Sequence, residues 1–150
     1  MKKILLLQLL LMTTLFVSCV GMKESPKVQE KPFDIVRTKW EATYRFDEKD
    51  PKSALVSVIY DFKTSTEVVF VHTIKEGSVD PGEFPNEPIN LSYTYITPTL
   101  KILSADKKTR TVYKVDEKAG TMSIVGDEVL DNGKWVEGKE GYKITLHLKK

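Results

Sequence analysis

Few residues of this chain have chemistry that reaches beyond packing. They are His72 and His147, the single cysteine Cys19, the run Asp47-Glu48-Lys49-Asp50, and the pair Asp127-Glu128. A catalytic thiol needs a histidine and an orienting partner held beside it by a scaffold. Cys19 follows directly on an apolar N-terminal run, where no scaffold is expected. Neither histidine lies in an HExxH pattern, and no further cysteine completes a zinc set. Two carboxylates work as acid and base only when one is desolvated enough to raise its pKa. Both acidic groups fall among turn formers, where carboxylates stay solvated; the first offers oxygen ligands for weak calcium binding at most. GxSxG, P-loop and GxGxxG patterns do not occur. The expectation is a protein that is not an enzyme, with no catalytic residue, no metal and no cofactor.

The N-terminus explains the cysteine. Lys2 and Lys3 precede an apolar run from Ile4 to Val17 that is broken only by Gln8, Thr13 and Thr14. That length suits a secretory signal, and a bilayer span needs roughly 20 apolar residues. Small Ser18 before Cys19, with Val17 and Leu15 upstream and Phe16 where the usual pattern has Leu, resembles a bacterial lipobox. The resemblance implies acylation of Cys19 and its exposure as the first residue of the mature chain. Residues 1–18 are then a signal peptide, residues 19–33 a lipidated N-terminus and tether, and residues 34–150 the folded domain. The leader holds two of the 23 basic residues and none of the 21 acidic ones, so the remainder carries 21 of each. A neutral chain has no electrostatic case for nucleic acid or an anionic membrane as partner. Membrane attachment would rest on the lipid, and the domain is expected to be monomeric.

Beyond the tether the pattern has period two, which places successive side chains on opposite faces of a strand. Residues 35–46 alternate Val36, Thr38, Trp40, Ala42, Tyr44 and Phe46 with mostly charged neighbours. Ala54, Val56, Val58, Tyr60 and Phe62 continue the inward set, followed by Val68, Phe70, His72 and Ile74. Ile89, Leu91, Tyr93 and Tyr95 form the next, and Tyr142, Ile144, Leu146 and Leu148 the last. Shorter β-rich runs lie at residues 100–104, 110–115 and 121–125. Turn formers separate these runs, Asp131-Asn132-Gly133 among them. No window carries an apolar stripe at helical spacing. About eight strands in chain order predict an all-β fold, a small antiparallel up-and-down barrel, since closure covers both apolar faces and edges. His72 reads as a hydrogen-bonded core residue and His147 as outward-facing.

One connection is long. Residues 77–88 hold Pro81, Pro85 and Pro88 with Asp80, Glu83 and Glu87 around Phe84. Proline lacks a donor, so this segment cannot be a central strand. Loops on a rigid scaffold commonly carry binding determinants, and Val79, Asp80, Pro81, Glu83, Phe84 and Pro85 form the candidate binding loop. The inward aromatics either fill the barrel or line a cavity for an apolar ligand; Phe70, Tyr93 and Tyr95 are the candidate cavity residues.

The segments TKWEATY around Trp40, YDFKTSTEVVF, YTYITPTLKI, a GTMSIVGDEV hairpin and terminal ITLHLKK, together with the lipobox, resemble the small lipocalin-like lipoproteins of gut and oral Gram-negative anaerobes. The resemblance implies a lipocalin-like barrel anchored at the outer membrane. In size, anchor and β content the chain is also similar to the potempins, lipid-anchored barrels that inhibit secreted peptidases. On that likeness the most concrete expectation is a peptidase inhibitor acting through its loops, with Phe84 as an anchor. The alternative is a lipocalin-like carrier of a small apolar ligand.

Overall fold

Alternation of apolar and polar residues becomes strand wherever it is strict. In Leu55–Phe62, Val56, Val58 and Phe62 are buried while their neighbours keep some contact with solvent. The computed structural model describes residues 33–79, 87–138 and 143–150. Among these it contains nine strands and no helix: β1 (Lys39–Arg45), β2 (Leu55–Phe62), β3 (Glu67–Glu76), β4 (Ile89–Ile96), β5 (Thr99–Leu103), β6 (Thr109–Asp116), β7 (Thr121–Asp131), β8 (Lys134–Glu137) and β9 (Thr145–Leu148). Every pairing is antiparallel, and β1 to β7 follow one another in order. β9 then bridges β7 and β1. The result is the closed eight-stranded up-and-down barrel that the periodicity predicts, with β8 added as one extra strand on β7. A barrel of this size has an interior just wide enough for side chains to fill.

Three details depart from the pattern. β1 starts at Lys39, because residues 33–38 turn instead, with Arg37 at φ 66, and bury Ile35 where Val36 was expected. The segment expected as a GTMSIVGDEV hairpin is instead one continuous strand, β7. An irregularity in the β6–β7 register lets Val125 stand out, 61% exposed, and turns Asp127 to the face shared with Thr111. Asp127 and Glu128 therefore lie within a strand, not in a turn. The turn comes later: Asn132 and Gly133 both have positive φ, 47 and 78, between the paired Asp131 and Lys134. Asn-Gly suits such a two-residue hairpin because its twist matches that of the flanking strands.

Strand direction gives the barrel two distinct ends. Residues 33–38 and the turns at 63–66, 97–98 and 117–120 lie at the near end, where the described chain enters. Residues 46–54, 104–108 and 132–133, with the ends of β3 and β4 that the 77–88 connection joins, lie at the far end. The near end is packed shut. Trp40, Phe62, Val68, Leu100, Met122 and Leu146 are all at or near complete burial. Phe33 meets Trp40 edge-on at 6.3 Å, and Phe62 meets Tyr93 edge-on at 4.8 Å. The polar atoms there are satisfied: Trp40 Nε1 donates to Thr38 Oγ1 at 2.9 Å, and the Tyr93 hydroxyl donates to the Thr64 carbonyl at 2.7 Å. Burying one such aromatic side chain stabilises the fold by about 2–3 kcal/mol.

The far end is uneven. On the β1–β3 side Ala42, Ala54, Val56, Val58 and His72 are buried. On the other side the wall is low, since β4 pairs with β3 only across Glu67–Phe70. No described strand continues the sheet beside residues 71–76 of β3 on that edge. Gly77, at φ 77, lets the chain leave β3 there, and a Cβ in its place would stand 3.1 Å from the Ala54 Cα.

Candidate binding pocket

Where the wall is low, the interior opens into a pocket of about 250 Å³. One row of cross-strand neighbours, Trp40, Tyr60, Phe70 and Ile89, climbs from the closed end to this opening, as the strand tilt of a barrel requires. Tyr60, Phe70 and Ile89 line the pocket with Leu91, Ile102, Leu103, Ser104, Ala105, Thr111 and Tyr113. Most of that lining is apolar; Ser104 stands at the rim, and two hydroxyls meet at the floor.

The floor is a pair of tyrosines from opposite walls. The hydroxyls of Tyr60 and Tyr113 share a hydrogen bond at 2.9 Å. Their rings meet at 72° with centroids 5.9 Å apart, and the Phe70 ring lies 5.0 Å from that of Tyr60. Burial pushes the Tyr60 pKa up to about 12, although the hydrogen bond from Tyr113 pulls the other way. Burial also holds the Tyr113 hydroxyl well above the ordinary range, and the nearby charge of Asp127 raises both. Neither phenol ionises near neutral pH, so the pair meets the pocket as neutral hydroxyls.

Of the expected cavity residues, Phe70 lines this pocket. Tyr93 is buried in the closed end, and the half-buried Tyr95 donates its hydroxyl to Glu117 Oε1 at 2.8 Å. His72 is buried, its ring 5.6 Å from that of Phe70, and desolvation lowers its pKa, which keeps it neutral. His147 is exposed on β9. In the loop, Val79 packs half-buried against the core; Asp80, Pro81, Glu83, Phe84 and Pro85 lie outside the described residues, as does Cys19. Asp47 and Asp50 each accept a backbone N–H two residues on, from Lys49 and Lys52, both at 2.9 Å, and so shape their own turn. Among the described residues no group of three or more His, Cys, Asp or Glu is placed to hold a metal.

The acidic pair that the sequence puts in a turn divides between the two faces of β7. Glu128 faces outward, where Lys101 Nζ donates to it at 2.9 Å and Arg110 Nε donates as well. Burial opposes its ionisation, but those two cations more than offset it and hold its pKa below the usual range. The Arg110 guanidinium also lies 4.2 Å over the Trp135 ring. Asp127 faces inward, directly across from Thr111 at the pocket. Sequence reasoning missed it because the register irregularity resets which residues of β7 face in; the Gly126 that follows exposed Val125 is the one local signal.

No protein-family model, curated protein or solved structure matches this chain. The fold alone is that of a small β-barrel, an architecture suited to a binding protein.

Proposed function

We propose that this chain is a non-enzymatic binding protein that holds a small, largely apolar ligand in the far-end pocket. One observation carries the reading: apolar side chains from three strands, β3, β4 and β5, stand over a paired tyrosine floor in a far-end pocket, while the opposite end is packed shut. Apolar lining with a few converging polar groups is the usual make-up of a ligand site. The neutral apolar dye Nile red should bind at micromolar concentration with a fluorescence rise. Leu91→Trp, which fills the pocket from its half-buried edge, should weaken that binding at least tenfold at unchanged melting temperature. Tyr95→Ala, outside the lining, should not. Dye binding that ignores Leu91→Trp would sink the carrier reading.

A second reading is the potempin-like one, in which the far rim engages a secreted peptidase. Its support is exposed apolar surface at that rim, where Val129, Leu130 and Val136 of the β7–β8 hairpin are 37–44% exposed; apolar patches of that kind often mark protein contacts. Replacing residues 79–87 by a short Gly/Ser loop separates the two. An inhibitor would lose its peptidase and a carrier would keep its dye.

In the same proposal Cys19 is lipidated and tethers the barrel to the outer membrane. Lipidation of a single cysteine is a chemical anchor, so Cys19→Ser should move the protein from the membrane fraction to the soluble one. An unchanged membrane fraction would overturn the anchor.

A further inference from the structure

Four features at the pocket point to one ligand chemistry. First, the rings of Tyr60, Phe70 and Tyr113 cluster at one corner of the pocket, with centroids 5.0 and 5.9 Å apart. Such corners of aromatic rings attract cations through their negative faces. Second, Asp127 stands across from pocket-lining Thr111 on the same face of the sheet. Cross-strand neighbours of this kind have Cβ atoms about 5 Å apart, and the charge of Asp127 is felt by both phenols; Asp127 itself stands beside the lining, at a neighbouring cavity with Val112, Gly126 and Glu128. Third, among the described residues no lysine or arginine lines the pocket and Asp127 takes part in no ion pair. The nearby cations Lys101 and Arg110 face the other way and are engaged by Glu128. Fourth, the remaining lining, Ile89, Leu91 and Ile102, offers an apolar bed for a hydrocarbon body.

We infer that the pocket selects a small amphipathic organic cation, a protonated amine on an aromatic or aliphatic body, with the ammonium held between Asp127 and the rings of Tyr60 and Tyr113. The inference rests on the carrier reading and narrows it. Tyr60 and Tyr113 stay neutral, so the cation meets rings and hydroxyl oxygens, and among the described residues the full charge beside it is the Asp127 carboxylate. An anionic ligand of the same shape would meet that carboxylate unfavourably. A neutral one would gain the apolar contacts alone.

The experiment uses three probes of one shape: 2-phenylethylamine, 2-phenylethanol and 3-phenylpropionate, each titrated by calorimetry at pH 7 into the protein. The amine should bind at least tenfold more tightly than the alcohol, and the acid should bind more weakly than either. Asp127→Asn, which keeps the shape and the backbone carbonyl that accepts from Gly138, should bring the amine down to the level of the alcohol and leave the alcohol unchanged. Circular dichroism and an unchanged melting temperature establish that this variant folds. Equal affinity for amine and alcohol, or an amine preference that survives Asp127→Asn, would overturn the amine inference while the carrier reading stands. Failure of all three probes to bind, with Nile red also unbound, would overturn both.

Discussion

The two ends of the barrel are built from the same strands and almost the same residue types, yet one is solid and the other holds a cavity. At the near end, Trp40, Phe62 and Leu146 are essentially fully buried and Tyr93 nearly so. At the far end, Tyr60 and Phe70, each two residues along its strand from buried Phe62 and Val68, remain in part accessible. The difference comes from wall height and not from hydrophobicity. β4 pairs with β3 no further than Phe70 and Ile89, so among the described residues no strand stands beside the aromatic row above that point. Aromatic content therefore does not by itself distinguish filling from lining; the length of the neighbouring strand does.

This comparison is tested most strongly by removing one aromatic from each end. Phe62→Ala leaves a cavity in a closed, fully packed region and should cost about 3–5 kcal/mol. Phe70→Ala removes a ring that already borders open space, so it should cost less than half as much, while weakening ligand binding. Chemical denaturation of both variants measures the gap. Equal losses would mean that the far end is packed as tightly as the near one, and the pocket would lose its physical basis.

How far this contrast was legible in the sequence depends on the residue. The inward sets of β2 and β3, Val56, Val58, Phe62 and Val68, could be read from alternation because a strand with one wet face has only one register that buries them. The hairpin turn at Asn132-Gly133 was equally legible, since few dipeptides accept positive φ twice. β8 was not: four residues, Lys134-Trp135-Val136-Glu137, are too short to show a period, and they form a strand only because β7 runs on to meet them. The inward turn of Asp127 was hidden for a related reason, as one extra residue in β7 inverts the parity on which the reading depends. Phe70 could be placed on the inner face, but not at a cavity. Its role is set by where β4 begins, and that follows from the whole closure rather than from any window around it.

The smallest expected effect concerns the tyrosine pair that lies between the two ends. Tyr60→Phe leaves the Tyr113 hydroxyl in the interior without its partner, a loss of about 1–2 kcal/mol at neutral pH. The same pair gives the protein an alkaline limit. Tyr60 has a folded-state pKa of about 12 against an ordinary 10.0, and Tyr113 is shifted in the same direction. A group that holds its proton more tightly when folded contributes its full stability below the unfolded pKa and loses it as pH rises through the folded one. Stability should therefore be flat up to about pH 10 and fall between there and pH 12. Absorbance at 295 nm should show these two phenols ionising only as the barrel opens. Ionisation of all six tyrosines near pH 10 in a still-folded protein would mean that water reaches the pocket floor freely, and the far end would then be a surface cleft and not an extension of the core.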